Sequence, residues 1–296
     1  MKVGVAGTGK MGSVVAARLK SLGHEVSVWN RGKPRAQPLL DGGIGWAESP
    51  RELVASVDTV ITFLTDEKAL DEVYLGPAGL LSAPCSGKLL IEMSTVAPAK
   101  QQELASRAAA LGAAYVECPV GGSVGPAKEG KLIGFAGGEE ADVERARPLL
   151  SQLCRRVEHV GPHGAGATMK LAVNLPLMVY WQTLSEALSL VQPLQLDPAR
   201  VIDILSDSSG GPNMLKVRGG MIAKALAGTG DGAVTVDIAT MHKDVQKMLD
   251  LGTGLGRQMP LTARTAQSLR EAMDQGLAQA DCAQLPVWWL RETSRG

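Results

Sequence analysis

The sequence predicts an α/β domain of the doubly wound type followed by an all-α domain. In the first half, short apolar runs alternate with helical patterns, which is typical of parallel strands joined by crossover helices. After Val160 the strand patterns cease and long helical patterns take their place. The chain has 296 residues, of which 45% are hydrophobic, and this is enough to form a core in each of two domains.

Six apolar runs in the first half predict strands, and most of them are bounded by glycine, proline or charge, as buried parallel strands are. The predicted strands are Lys2–Ala6, Glu25–Trp29, Thr59–Leu64, Leu89–Met93, Ala114–Glu117 and Leu132–Ala136. Helices are predicted between them near Met11–Leu22, Ala69–Tyr74, Pro98–Leu111 and Ala141–Leu153. This alternation favours a parallel sheet with right-handed crossovers.

The second half predicts helices alone. The run G-P-H-G-A-G at 161–166 indicates a joint, so we expect one domain over 1–162 and an all-helical domain over 163–296. The predicted helices are Ala165–Val191, Pro198–Leu205, Met214–Leu226, Ile238–Leu255 and Leu261–Gln275. Pro176 falls inside the first of these helices, where it should remove a backbone hydrogen bond and bend the chain.

Composition excludes several classes of protein. The net charge is zero and aromatic residues are only 3%, which argues against a nucleic-acid or anionic membrane partner. The four cysteines are widely spaced, as in neither a disulfide framework nor a zinc site, so we expect no metal. Together with the lack of a signal-peptide pattern or a long apolar run, this predicts a cytoplasmic protein.

The strongest local motif is G-T-G-K-M-G at 7–12, which follows the first predicted strand and opens a helix. In this context Gly7 allows a tight turn, Gly9 lets the backbone approach a pyrophosphate, and Gly12 permits close packing of helix on strand. Lys10 and Met11 lie between them at the helix N-terminus, which favours an anion. The motif predicts a Rossmann-type domain that binds a dinucleotide.

The end of the second predicted strand indicates which dinucleotide is bound. NAD sites place an acidic residue about 20 residues after the glycines, where it binds the ribose 2′-hydroxyl. This chain has Asn30 and Arg31 there, followed by Lys33 and Arg35, with no acid in 26–37. Guanidinium groups suit a 2′-phosphate. The pattern predicts NADP, although a solvated basic loop would look the same.

Lys170 and Asn174 lie four residues apart on the long predicted helix, so their side chains share one face. A cation that can donate a proton, beside a neutral amide, suits the reduction of a carbonyl group. The spacing alone is also common on exposed helix faces, so it leaves a catalytic and a surface role open.

Several spaced segments together carry a resemblance that covers essentially the whole chain. They are V-A-G-T-G-K-M-G at 5–12, M-S-T-V-A-P at 93–98, C-P-V-G-G-S-V-G-P-A at 118–127, G-A-G-A-T-M-K-L-A-V-N at 164–174 and K-D at 243–244. In this order they resemble the β-hydroxyacid dehydrogenases, which include 3-hydroxyisobutyrate dehydrogenase, tartronate semialdehyde reductase and the glyoxylate/succinic semialdehyde reductases.

The resemblance implies roles by position. Lys170 would be the general acid for reduction and the general base for oxidation, Asn174 would hold the substrate, and the site would lie in the cleft between the domains. Further residues would border the cofactor or would hold the substrate's carboxylate through backbone N–H groups. The former are Leu64, Thr65, Ser94, Thr95 and Lys243, and the latter are Gly121, Gly122 and Ser123.

One departure from the family pattern concerns the loop that would hold the carboxylate. The family loop reads P-V-S-G-G or P-V-S-G-S, whereas this chain has P-V-G-G-S at 119–123. Gly121 therefore lacks a hydroxyl that would contact the substrate. Ser123, with Pro126 and Ala127 after it, is closer to the glyoxylate/succinic semialdehyde branch.

We therefore expect an NADP-dependent oxidoreductase that interconverts a short 3-hydroxy acid, or a related hydroxy acid, with its aldehyde acid. The family implies a homodimer or homotetramer formed through the helical domain, and a small-molecule substrate. Two alternatives remain: an imine reductase of similar plan, and a non-catalytic dinucleotide-binding protein. Both usually lack a lysine at the position of Lys170, so its presence argues against them.

Overall fold

A computed structural model describes residues 1–293 of the chain, which divides into two compact units. The first unit is Met1–Leu171 and the second begins at Ala172. Their contents agree with the predicted fold class: the first unit is a sheet covered by helices, and the described part of the second is helical apart from an isolated bridge between Asp237 and Asp281.

The first unit is built on a nine-stranded sheet. Its strands are β1 (Lys2–Ala6), β2 (Glu25–Trp29), β3 (Gly45–Trp46), β4 (Thr59–Thr62), β5 (Leu89–Glu92), β6 (Ala114–Glu117), β7 (Val120–Gly121), β8 (Leu132–Gly137) and β9 (Cys154–Gly161). The first six strands are parallel and lie in the order β3-β2-β1-β4-β5-β6. This order reverses between β1 and β4, where sheets of this type open a crevice at the carboxyl ends of the strands.

Helices connect the strands and form the second unit. Those of the first unit are α1 (Lys10–Ser21), α2 (Gln37–Asp41), α3 (Pro50–Ser56), α4 (Glu67–Leu75), α5 (Pro98–Ala110), α6 (Val124–Glu129) and α7 (Glu140–Leu150). Helix α8 (Ala165–Val191) contains the boundary between the units. It is followed by α9 (Pro198–Asp207), α10 (Asn213–Leu226), α11 (Ile238–Gly254), α12 (Pro260–Ala272) and α13 (Gln284–Thr293).

Both faces of the sheet are buried, which explains the continuous apolar runs in its central strands. All residues of β4 and β5 are buried. Neighbouring residues point to opposite faces, so Ile61 and Ile91 belong to one hydrophobic cluster while Val60 and Leu90 belong to the other. A strand covered on both sides reads as uniformly apolar rather than alternating.

The prediction of a parallel sheet is correct for the first six strands and wrong for the far edge. Strand β8 runs antiparallel to β6 and to β7, although it is parallel to β9. Strands β3, β7 and β9 were not predicted. The first two have only two residues each. Strand β9 reads C-R-R-V-E-H-V-G, with Arg155 and Arg156 exposed, and it pairs only with β8.

Helix α8 spans the predicted residues, and Pro176 lies inside it; the bend expected there stays a prediction. Helix α13 was not predicted. The segment D-C-A at 281–283 begins with Asp281, whose carboxylate accepts hydrogen bonds from the backbone N–H groups of Thr235 at 2.6 Å and Ala283 at 2.9 Å.

All four cysteines are buried and free. Within residues 1–293 no cluster of three side chains suited to a metal ion occurs. None of the helices described is both long enough and apolar enough to cross a bilayer.

Candidate active site

The turn from β1 into α1 has the backbone geometry that a dinucleotide requires. Gly7 has φ +96°, and its N–H donates to the carbonyl oxygen of Trp29 at 2.8 Å. A side chain at Gly7 would collide with the carbonyl of Phe63, and one at Gly12 would collide with the carbonyl of Gly7. Nothing lies within 4 Å of the position that a side chain of Gly9 would take. Two glycines are thus required by packing, and the third leaves the helix N-terminus open to a ligand.

A cavity of about 560 Å³ opens beside this turn, at the carboxyl ends of β1, β2 and β4. Many of the residues predicted to bind the cofactor line this cavity. Those that line it are Gly7, Gly9, Asn30, Arg31, Arg35, Leu64 and Thr65. Lys10 and Met11 follow in the first turn of α1. The fold therefore brings the glycine turn, the basic loop and the end of β4 together around one space.

The polar residues after β2 play different parts. The side-chain oxygen of Asn30 accepts a hydrogen bond from the Thr8 N–H at 3.1 Å, so it ties the end of β2 to the glycine turn. Arg31 is largely exposed, and its guanidinium lies 3.9 Å from the carboxylate of Glu72. Lys33 does not line the cavity: its ammonium lies 3.3 Å from Glu48 and 5.2 Å from the ring centre of Trp46.

Helix α4 supplies cavity residues that sequence reasoning missed. Lys68 and Glu72 line the cavity, as does the aliphatic side chain of Val73. The position of α4 in the chain could have indicated this. Helix α4 follows β4, the strand beside β1, and in a doubly wound sheet such a helix borders the same crevice. Lys68 adds a third cation, beside Arg31 and Arg35. Asp66 and Glu72 add carboxylates, and that of Glu72 is the one close to Arg31.

The ends of β4 and β5 are joined through Ser94. Its hydroxyl accepts a hydrogen bond from the N–H of Leu64 at 2.8 Å, and its own N–H donates to a carboxylate oxygen of Glu92 at 2.8 Å. Ser94 is buried, and Thr95 follows it in the chain. The structure thus brings together the predicted residues Leu64 and Ser94, and it adds a buried carboxylate behind them.

Glu92 is fully buried and belongs to a hydrogen-bonded network. Its second oxygen accepts from the Gln101 amide at 2.6 Å, and the amide oxygen of Gln101 accepts from the hydroxyl of Tyr115. Burial raises the pKa of Glu92, while its hydrogen bonds to Ser94 and Gln101 act in the opposite direction. The network holds the end of β5 rigidly beneath the loop that contains Ser94.

A second buried glutamate, Glu117, ends the neighbouring strand β6. One of its carboxylate oxygens accepts from the N–H groups of Gly164 at 2.6 Å and Gly166 at 2.8 Å, and the other accepts from Ala167 at 3.4 Å. These groups belong to the start of α8. Burial raises the pKa of Glu117 to about 7, although the three N–H donors lower it in part.

Both residues of the predicted catalytic pair lie on helix α8. Lys170 is 8% exposed, which is unusual for lysine, and Asn174 follows one turn later and is half-buried. Lys243 lies on α11, with its ammonium 3.4 Å from the carboxylate of Asp244. This low exposure of Lys170 favours a role in a binding or catalytic site over a position on a solvated helix face.

The loop predicted to hold a carboxylate lies along β7. Gly121 pairs with Ile133 of β8, and Gly122 has φ +119°, where a side chain would also press on Leu132. At Gly121 a Cβ atom would lie 3.6 Å from the ring of Phe135 and 3.9 Å from the Cβ of Ile133, which are ordinary contacts. Ser123 precedes the first turn of α6. The backbone conformation therefore requires glycine at 122. At 121 neither the backbone nor the packing requires glycine, and a serine would fit there.

Comparison with known proteins agrees with this architecture. A family model described as the NAD binding domain of 6-phosphogluconate dehydrogenase matches residues 2–161, and one described as NAD-binding of NADP-dependent 3-hydroxyisobutyrate dehydrogenase matches residues 164–288. The first unit thus carries an NAD(P)-binding domain.

Curated relatives match over most of their length. The chain is 33% identical to 3-hydroxyisobutyrate dehydrogenase of Pseudomonas aeruginosa, over 87% of this chain and 87% of the relative. It is 30% identical to 2-hydroxy-3-oxopropionate reductase of Escherichia coli, over 95% of this chain and 94% of the relative. The solved structure of Psf3 in complex with NADP+ and 2-OPP superposes with a TM-score of 0.86 at 26% identity, over 96% of this chain and 99% of the other. The chain therefore belongs to the β-hydroxyacid dehydrogenase family, and its named relatives are oxidoreductases.

Proposed function

We propose that this protein is an NADP-dependent oxidoreductase that interconverts a short aldehyde acid and its hydroxy acid, working mainly as a reductase. The observation that carries the proposal is the buried Lys170 on the helix that also bears Asn174. The glycine turn supplies the nucleotide site in the same chain. The named relatives act on substrates of this class.

The preference for NADP rests on the charge around the cavity. Arg31, Arg35 and Lys68 line it, and no acidic residue follows β2 to bind a ribose 2′-hydroxyl. A 2′-phosphate would meet guanidinium donors whose fork geometry fits its oxygens. Asp66 and Glu72 also line the cavity, and pairing of Glu72 with Arg31 offsets part of the charge of that arginine.

When bound, the reduced nicotinamide supplies the hydride. Lys170 then donates a proton to the carbonyl oxygen as the carbonyl carbon is reduced, and it accepts the proton in the reverse reaction. Asn174 holds the substrate by hydrogen bonds. Ser94 fixes the backbone of Leu64 at the end of β4, where we place the nicotinamide end of the cofactor. Thr65, Thr95 and Lys243 are assigned to the cofactor by their resemblance to the family.

The substrate class follows from the loop along β7. Backbone N–H groups of Gly121, Gly122 and Ser123 would bind the carboxylate of the substrate. Without a side chain at Gly121, this part of the site offers more room and one hydroxyl fewer than the family pattern. Ser123, with Pro126 and Ala127 after it, resembles the glyoxylate/succinic semialdehyde branch, and on this ground we propose a short aldehyde acid of that kind.

The division of labour between the two parts of the chain is also a proposal. Residues 1–162 would bind most of the cofactor and supply the loop for the substrate's carboxylate. Residues 163–296 would supply the rest of the substrate site and assemble a homodimer or homotetramer. Exposed leucines in the second unit, among them Leu190 at 83% and Leu194 at 62% exposure, support a surface that a second copy covers.

The test is a panel of aldehyde acids, hydroxy acids and cyclic imines assayed with NADPH and with NADH. We expect turnover of an aldehyde acid with NADPH, and we expect Lys170→Ala to lower kcat by about 10²–10⁴-fold, the usual worth of a positioned proton donor. Lys170→Arg should not restore it, because guanidinium is too weak an acid. Lys170→Met is the matched control for lost packing and should fold like the wild type.

NADPH affinity should remain near the wild-type value in these variants. If Lys170→Ala keeps most of its turnover on an aldehyde acid, the proposed mechanism is wrong. Turnover of cyclic imines without any aldehyde acid would instead favour an imine reductase.

A further inference from the structure

We propose that Glu117 is a positioning residue for Lys170: its carboxylate fixes the first turn of α8 and thereby places the lysine that donates the proton. This inference rests on the proposed function, because it concerns the residue assigned there as the general acid. Glu117 does not touch substrate in this proposal; it acts through the helix.

The contacts of Glu117 form a cap that comes from a distant strand. The first N–H groups of an α-helix have no partner within the helix, and a residue just before it usually binds them. Here Gly164, Gly166 and Ala167 donate to Glu117 instead, across separations of 47 to 50 residues. The start of α8 is therefore bound to the carboxyl edge of the sheet, where the cofactor cavity opens.

The surrounding glycines show that this space is built for the carboxylate. A side chain at Gly137 of β8 would overlap an oxygen of Glu117. A side chain at Gly166 would lie 3.2 Å from the carboxyl carbon of Glu117 and would collide with the carbonyl of Phe135. Gly137 and Gly166 therefore let strand, helix and carboxylate approach closely, and a longer or shifted helix start would not fit.

The capped turn controls the position of Lys170 because the helix is rigid. Gly166 and Lys170 are four residues apart, so they lie on one face, separated by about 6 Å along the axis. Lys170 is buried, which leaves its ammonium little freedom to compensate for a displaced backbone. A shift of about 1 Å at a reacting group can cost about 100-fold in rate.

Other ionisable groups surround Glu117. Glu92 is its register partner on β5, Tyr115 lies two residues before it on β6, Cys118 directly follows β6, and His163 lies in the loop before α8. Glu92 raises the pKa of Glu117 further, in addition to burial, and the resulting value of about 7 means that Glu117 changes charge in the neutral range. The ionised form has acceptor sites for all three N–H groups, whereas a protonated carboxyl turns one oxygen into a donor.

The experiment compares Glu117→Gln, Lys170→Ala and the double variant in the full-length protein. Glu117→Gln should lower kcat by about 10- to 100-fold with KM for NADPH unchanged. The wild type should lose kcat as pH falls below about 7, and Glu117→Gln should lack that acid limb. Glu117→Asp, which keeps the charge, should recover part of the loss. Glu129→Gln, at an exposed glutamate paired with Lys131, is the matched control and should behave as the wild type.

Several outcomes decide the inference. In the Lys170→Ala background, Glu117→Gln should cause no further loss, because both changes affect one step; additive losses would overturn the proposal. A folded Glu117→Gln with wild-type kcat and pH profile would overturn it too, whether or not its Tm falls. An active Lys170→Ala variant would instead refute the proposed function itself.

If Glu117→Gln does not fold, the wild type provides the test. The protection factors of the Gly164 and Gly166 amides, taken relative to those of the most protected amides in β4 and β5, should increase as pH rises from 6 to 8, because ionised Glu117 is the better acceptor for them. An unchanged ratio would overturn the inference.

Discussion

Basic side chains after β2 face the cofactor cavity to different extents, and this difference is visible residue by residue. Arg31 and Arg35 line the cavity, whereas Lys33 turns towards Glu48 and Trp46. All three are equally plausible from the sequence, because charge and position in a loop do not reveal which way a side chain turns. The contacts of Lys33 make it a natural internal control for the arginines.

We predict that Arg31→Ala weakens NADPH binding by about 1.5–3 kcal/mol, the worth of a hydrogen bond to a charged group, while NADH binding barely changes. The reason is the loss of guanidinium donors to the 2′-phosphate. Lys33→Ala should leave NADPH binding nearly unchanged. Calorimetric titration of each variant with both cofactors checks this. Equal losses in the two variants, or a wild type that uses NADH as well as NADPH, would contradict the assignment.

At the scale of elements, the glycines in the turn between β1 and α1 have two different roles: Gly12 is required by packing, and Gly9 leaves room for a ligand. We predict that Gly12→Ala lowers Tm by several degrees, because the new methyl group collides with the Gly7 carbonyl. Gly9→Ala should keep the wild-type Tm without cofactor, since the space in front of it is open, but it should weaken NADPH binding. Thermal unfolding with and without NADPH distinguishes the two, and a destabilised Gly9→Ala variant would show that Gly9 is a packing residue instead.

Elements with long apolar runs or clear caps could be predicted from the sequence. Strands β1, β2 and β6 and helix α8 have the predicted bounds, because an apolar strand pattern or a long helical pattern dominates the local sequence. Strand β9 was missed because its pairing with β8 is a tertiary effect that its charged sequence does not report.

The buried glutamates were missed in the same way. Glu92 and Glu117 each end a buried strand, and a glutamate there reads as an ordinary surface boundary. Their partners lie elsewhere: Glu92 bonds to Gln101 of α5, and Glu117 bonds to residues some 50 positions later. A glutamate that closes a fully apolar strand next to a glycine-rich turn would have been the usable signal.

Helix α8 carries a testable irregularity at Pro176. Proline cannot donate to the carbonyl of Ala172, and its ring crowds that carbonyl. We predict a bend of α8 at this position and its reduction in Pro176→Ala, with an altered KM for substrate because Asn174 lies just before the bend. Crystal structures of the wild type and of Pro176→Ala check this. A straight wild-type helix with unbroken backbone hydrogen bonds through 172–180 would refute it.

For the chain as a whole, the first unit contains two buried carboxyl groups side by side in its sheet. Glu92 and Glu117 are register neighbours on β5 and β6, and burial raises the pKa of each. Both are hydrogen-bonded, so neither is an uncompensated polar group, but the ionised form of each is disfavoured by its surroundings. Folding stability must therefore depend on pH through these groups.

We predict the sign and size of this dependence for Glu117. Its folded pKa is about 7 and its ordinary value is 4.5, so the folded protein binds the proton more tightly than the unfolded chain does. The stabilisation is fully present below about pH 4.5 and is lost as pH rises through about 7. At 1.36 kcal/mol per pKa unit, the loss is about 3 kcal/mol.

Glu117→Gln should lack this component, so the free energy of unfolding of the wild type should fall relative to that of the variant between pH 5 and pH 8. Hydrogen exchange of the most protected amides in β4 and β5 reports unfolding of the first unit. Titration of groups distant from Glu117 cancels in the comparison, because both proteins share them, whereas Glu92 is coupled to Glu117 and contributes to the difference. A difference that stays constant with pH, or one in which the wild type gains stability as pH rises, would show that Glu117 is ionised throughout and that the N–H groups of α8 outweigh its burial.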